Sequence, residues 1–250
     1  MNQARSVDPN AVARSVADLR ADDLGKGELR AALNAVVEAS ATVFGADGAG
    51  VMLIDDEQAL HYVGATDGRA AALEAAQEET GEGPCIDSLV NDRLVFTSDL
   101  IDDDRWPRLR QQIGSLGVRA ILGAPLRLGM GAIGSLNVYR FEPWSWDEAD
   151  IAGVQAYAQV VEELLGAAIL ARQRHTIVDQ LSRALEHRVV IERAVGVLMA
   201  TEGMDAVRAF DGLRRAARSR RVRVSDLAEQ ILTARRFSTE TEGSGPRWTP

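Results

Sequence analysis

Six arginines within ten residues, Arg214, Arg215, Arg218, Arg220, Arg221 and Arg223, form the densest group of chemistry-bearing side chains in this sequence. A guanidinium stays charged, presents a planar fork of donors and stacks on flat rings, so the pattern suits phosphate groups and unpaired bases. A helix C-terminus also favours cations through its dipole, but that accounts for one or two of them and not for six. Arg188 and Arg193 lie just upstream. From Leu181 to Phe237 there are 12 Arg, no Lys and 7 Asp or Glu, a charge of +5. The whole 250-residue chain carries −9, so the remainder, with 16 basic and 30 acidic residues, carries −14. A compact basic unit on an acidic protein points to a polyanionic partner.

Other reactive residues are sparse. Cys85 is the one cysteine, which excludes an intramolecular disulfide framework. It could be a nucleophile, a redox sensor or a tetrapyrrole anchor if its surroundings stabilise a thiolate; a buried, inert thiol is the plainer alternative. His61, His175 and His187 are too scattered for a metal site by spacing, and no Cys/His cluster accompanies them, so no metal is expected. His187 falls on a helix, as a kinase phosphoacceptor would, but no ATP-binding domain follows it. Gly81-Glu82-Gly83-Pro84 lacks the Lys-Ser/Thr ending of a phosphate loop, and Pro84 removes an amide donor, so it reads as a turn at a pocket rim. Asp102-Asp103-Asp104 could offer oxygens to a cation or form a solvated loop. Trp106 beside Pro107 is either packing or an aromatic wall for a planar ligand.

The elements that must carry these residues follow from period and punctuation. Residues 1–27 are polar and read as a loosely held arm, with Val12, Val16 and Leu19 as a short helical stripe. Leu29 to Phe44 has helical spacing and ends at Gly45. Gly50–Ile54 and Leu60–Val63 read as paired strands, Arg69–Glu79 as a helix stopped at Gly81. Leu94–Phe96, Ala120–Leu128 and Ile133–Tyr139 read as three more strands, the last two joined through Gly129-Met130-Gly131. From Asp147 a helix without proline is expected to run through Ala200. Along it Ile151, Val154, Ala158, Val161, Leu165 and Ala168 keep the spacing of a coiled-coil seam, which predicts a homodimer; the alternative is that this face packs on the sheet. Leu181 to Phe237 then divides into three helices, with Asp205 and Ser225 as N-caps of the second and third.

Composition sets the outer limits. Hydrophobic residues make up 46%, enough for one or two packed cores. The first thirty residues are too polar for a signal peptide, and the longest apolar run, Leu164–Ala171, falls short of the roughly 20 residues that span a bilayer. A cytoplasmic protein with no membrane contact is expected.

Two resemblances sharpen the reading. The run Arg188-Val189-Val190-Ile191-Glu192-Arg193-Ala194-Val195-Gly196-Val197-Leu198-Met199, followed by Ala209-Phe210, Leu213-Arg214 and Asp226-Leu227-Ala228, resembles an ANTAR domain, the RNA-binding module of bacterial antiterminators. One position departs: Val195 stands where that family usually has Lys. Gly81 to Cys85, Asp99-Leu100, Arg105-Trp106-Pro107, Gly117-Val118-Arg119, Ala124-Pro125-Leu126 and Ile133 to Asn137 resemble a GAF domain, a small-molecule sensor fold.

These resemblances imply an α+β chain: a GAF-like antiparallel sheet flanked by helices, then a long coiled-coil helix and a three-helix ANTAR bundle. The expected divisions are an arm at 1–27, a sensor domain at 28–170, a helical linker at 171–180, the ANTAR domain at 181–237 and a disordered tail at 238–250. The implied function is non-enzymatic: transcription antitermination through stem-loop RNA, under control of the sensor. RNA contacts are expected at Arg188, Arg193, Arg214, Arg215, Arg218, Arg220, Arg221 and Arg223. Cys85, Trp106 and Leu136 are candidates to line a ligand pocket, with no cofactor specified. The alternatives are a sensor or scaffold whose helical unit binds protein or DNA, and a Cys85-dependent reductase.

Overall fold

Short, largely apolar runs, buried along nearly their whole length, build the centre of the sheet, and two glycines and two prolines punctuate what surrounds it. The computed structural model describes residues 6–21, 28–55, 60–114, 116–129, 131–170 and 176–242, apart from the side chains of 176, 186 and 235–242. In order the elements are α1 (Pro9–Ala21), α2 (Leu29–Phe44), β1 (Gly48–Ile54), β2 (Leu60–Ala65), α3 (Gly68–Thr80), α4 (Pro84–Asn91), β3 (Val95–Thr97), α5 (Pro107–Ile113), β4 (Ala120–Leu128), β5 (Gly131–Arg140), α6 (Glu148–Leu170), α7 (Thr176–Glu202), α8 (Ala206–Arg220) and α9 (Val224–Glu242). The strands form one antiparallel sheet in the order β2-β1-β5-β4-β3. The fold class is thus the expected α+β arrangement. Gly45 and Gly81 end α2 and α3 in the left-handed conformation, where a side chain would be strained.

One face of the sheet is covered by α2 and α6, with α1 packed over both; α3, α4 and α5 cover the other. The stripe Val12, Val16 and Leu19 is buried, so residues 9–21 are part of the sensor's packing and not a loosely held arm. Helices α4 and α5 start on Pro84 and Pro107, in segments that read as a rim turn and a loop. Proline suits a first helical turn, whose amides lack intrahelical partners anyway.

The expected dimer seam is also corrected. Val154, Ala158, Val161, Leu165 and Ala168 are each at most 4% exposed within a single chain, because α6 lays that stripe on β4, β5, α1 and α2. Nor are α6 and α7 one straight helix. Leu170 and Arg188 line the same cleft, whereas a continuous helix would hold them about 27 Å apart at 1.5 Å per residue. Of the expected linker, residues 171–175 lie outside the described residues and 176–180 belong to α7. Helix α9 runs to Glu242, beyond the expected start of the tail; residues 243–250 lie outside the described residues.

Helices α7, α8 and α9 pack on one another as the expected bundle, around Ile191, Ala194, Ala209, Leu213, Ala217, Leu227 and Ala228. Asp205 caps α8, its carboxylate accepting from Arg208 N at 2.8 Å. Ser225 is not the cap of α9: the helix starts one residue earlier, and the Ser225 hydroxyl is buried without a hydrogen-bond partner among the described residues.

Leu165→Ala should cost about 2–5 kcal/mol, the usual range for a truncated core leucine. Urea unfolding at two protein concentrations would check it: the loss should be the same at both, since the residue is buried within one chain.

Candidate nucleic-acid interface and sensor core

Helix α8 presents two different faces. Ala209, Phe210, Leu213 and Ala217 recur at helical spacing and are buried. Arg215 and Arg218 lie on the opposite side, Arg220 is the last residue of the helix, and Arg221 and Arg223 follow in the turn; none of them is buried, and Arg193 is exposed on α7. Arg221 caps the helix in the left-handed conformation, which turns the chain sharply and brings Arg223 back beside the helix end. Arg215 pairs with Asp211 at 3.1 Å. Among the described residues, Arg193, Arg218, Arg220, Arg221 and Arg223 have no carboxylate within ion-pair distance. Such a surface holds unneutralised charge where an anion can reach it.

Two of the eight expected RNA contacts are elsewhere. Arg214 is 5% exposed, at the junction of the bundle with the sensor. Burial pulls its guanidinium down from its ordinary range and Arg218 adds repulsion, while Glu78, Asp211 and Asp55 support its charge. Arg188 donates through Nη1 to the carbonyl of Ala132 on β5, and through Nε to Glu192 at 2.5 Å. Both residues are thus engaged with or beside the sensor. Across the same junction Arg108 approaches Asp211 at 3.6 Å, and Leu89, Ala132, Val195 and Phe210 line a cavity of about 220 Å³. Val195, at the position where Lys was expected from the resemblance, is 9% exposed and forms part of that apolar wall.

The sensor's inner face is polar. Glu74 on α3 is enclosed between the helix and β5. It accepts from Asn137 Nδ2 at 3.0 Å, from Gln77 Nε2 at 3.0 Å and from the Cys85 thiol at 3.2 Å. Gln77 also bonds Cys85 twice, donating to Sγ at 2.8 Å and accepting from its backbone N at 3.0 Å. Burial pushes the Glu74 carboxyl from an ordinary 4.5 up to about 7, against the hydrogen bonds from Cys85 and Asn137. Burial and the neighbouring Glu74 drive the Cys85 thiol well up. Cys85 is 0% exposed, the setting of the inert-thiol alternative.

The three pocket candidates separate. Cys85 belongs to this enclosed cluster. Trp106, 2% exposed, donates to Asp87 at 3.2 Å and borders a polar cleft of about 480 Å³ between sensor and bundle. Leu136 faces the other way from Cys85: alternation along β5 sends Ser135 and Asn137 toward α3 and α4, and Leu136 into the apolar layer under α2 and α6. Glu74 and Gln77 escaped the sequence reading, although both fall on the buried stripe of Ala70, Leu73 and Thr80. An acid at a core position of an amphipathic helix was the available signal. Among the described residues no His, Cys, Asp and Glu group is placed to hold a metal, and Asp103 and Asp104 instead pair with Arg105 and Arg110. No helix among them is long and apolar enough to cross a membrane.

Comparison with known proteins agrees with this division. Residues 28–165 match the GAF domain family and residues 179–232 the ANTAR domain family. No curated protein sequence matches the chain. Among solved structures, the GAF domain of a phosphoenolpyruvate-protein phosphotransferase from Coxiella burnetii superposes with a TM-score of 0.52 at 16% identity, over 66% of this chain and 99% of that one. The corresponding Acinetobacter domain gives 0.51 at 14%, over 65% and 95%. A free methionine-R-sulfoxide reductase from Neisseria meningitidis gives 0.50 at 17%, over 64% and 89%. At these identities the likeness is one of fold.

Stability should reveal Glu74. Its folded pKa lies above its unfolded one, so its contribution is fully present below about 4.5 and is lost as pH rises to about 7, on the order of 3 kcal/mol in all. Glu74→Gln should abolish that slope in urea unfolding measured from pH 4.5 to 8.

Proposed function

Since the chain belongs to the GAF domain family and carries an ANTAR domain behind it, a composition that points to a regulator and not an enzyme, we propose that it binds stem-loop RNA in nascent transcripts and thereby prevents terminator formation. The sensor domain controls when it does so. The observation that carries this reading is the group of solvent-facing arginines around the end of α8, five of them, with Arg193 beside, left without carboxylate partners or held by one only.

An ordinary solvated helix end does not need so many like charges within the last two turns and the residues just after, where they repel one another. A folded RNA does. Its phosphates converge on loops and grooves, and each guanidinium can bridge two oxygens or stack on an unpaired base. Arginine without a single lysine in this stretch favours such planar recognition over a diffuse positive field. The sensor's part is control through the junction. Its polar interior and its contact with α7 and α8 lie on opposite ends of the same elements, α4 and β5, so a change at one reaches the other.

Arg218→Ala/Arg221→Ala/Arg223→Ala should weaken binding of a dual-hairpin leader RNA by at least about tenfold. It should also make the dependence on salt shallower, by about 0.7–0.9 for each phosphate no longer neutralised, in a plot of log affinity against log salt. A gel shift across a salt series measures both. Unchanged affinity, or competition by heparin equal to that by hairpin RNA, counts against recognition of folded RNA by this surface.

A further inference from the structure

Arg214 is the one arginine of the α8 group buried at the junction, 5% exposed, and the carboxylates near enough to support its charge come from both sides. On the sensor side are Glu78 of α3 and Asp55 after β1; on its own helix are Asp211 and the like charge of Arg218. Asp55 and Glu78 also share His61, at 2.7 and 3.6 Å, and so form a single charged edge of the sensor. Asp211 extends the contact by approaching Arg108 and by packing over Gly81, where a Cβ would collide with its carboxylate. Arg188 is held against Ala132 in the same docked arrangement.

Resting on the RNA-binding reading, we propose that docking of α8 beside this acidic edge buries Arg214 and keeps it from an RNA phosphate, so that docking and the full RNA contact exclude each other. The partner of the edge is the chain's own α8. Docking is geometrically specific yet incomplete, because Arg214 Nη2 is buried without a hydrogen-bond partner among the described residues. A buried guanidinium donor left unfilled opposes the docked state, and a phosphate would fill the fork. The exposed arginines remain able to meet RNA in the docked state. The full contact requires α8 to leave the sensor, and by linkage docking weakens RNA binding by the same factor by which RNA weakens docking.

Asp55→Asn/Glu78→Gln tests this on the full chain, since it neutralises the edge with near-isosteric amides and touches no proposed RNA contact. Amide hydrogen exchange of α8 reads docking, and affinity for a dual-hairpin RNA reads function. We expect faster exchange across 206–214 and about tenfold tighter binding in the variant, and faster exchange in the same segment when wild type is saturated with RNA. Retained protection of 206–214 in RNA-bound wild type overturns the proposal and leaves RNA binding intact. So does a variant whose α8 stays docked, or one whose α8 is freed with no change in affinity. If freed α8 and wild type alike ignore hairpin RNA, the RNA-binding reading falls and this proposal with it.

Discussion

Strand β5 has to satisfy two layers of opposite chemistry with alternate residues, and the register that does so fixes the sensor. Leu136 and Val138 enter the apolar layer beneath α2 and α6, while Ser135, Asn137 and Tyr139 face α3 and α4. A slip of one residue against β1 or β4 would drive Asn137 into hydrocarbon and set Leu136 against Glu74. The antiparallel ladders on both sides hold it in place. On the polar side Asn137 and Tyr139 then find partners from the helices: Asn137 meets Glu74, and the Tyr139 hydroxyl donates to Asp67 at 2.9 Å. Asp67 in turn caps α3, so the helix carrying Glu74 is positioned by the same strand.

Charge is divided along the chain as sharply as polarity is across the sheet. The bundle's surplus of positive charge and the sensor's larger negative one attract over a distance set by salt, about 8 Å at physiological ionic strength. Close to the junction a specific pair, Arg108 with Asp211, joins the diffuse field, and the carboxylates of α3 and the β1 end support the charge of Arg214. Neutral packing of Leu89 and Val195 with Phe210 accompanies them. Each such pair contributes little when solvated. Arg214 differs because it is enclosed, where an imbalance of charge is felt at full strength.

How much of this was legible in the sequence depended on whether one element sufficed to define the signal. The strands, the β4–β5 hairpin, the glycine stops of α2 and α3 and the Asp205 cap were, because local period and punctuation determine them. Pro84 and Pro107 misled, since proline marks a helix start as readily as a turn. The α6 stripe has the spacing of a coiled coil, and nothing in the stripe itself says whether a sheet or a second helix will cover it. Leu136 was placed by its neighbourhood in sequence, which ignores the pleat. Arg214 lies four residues after Phe210 and so on the buried face of α8, but its charge outweighed its position in the reading. Contacts between the sensor and the bundle, Arg188 to Ala132 among them, join residues far apart in the chain and left no local trace.

That last contact gives β5 a mechanical part. Ala132, which receives the Arg188 guanidinium, and Asn137, which holds Glu74, are five residues apart on one strand, about 17 Å at the rise of an extended chain. Backbone ladders on either flank make that strand stiff along its length. One strand thus carries both the amide that meets an enclosed carboxyl group and the carbonyl that anchors the root of the arginine-bearing helices.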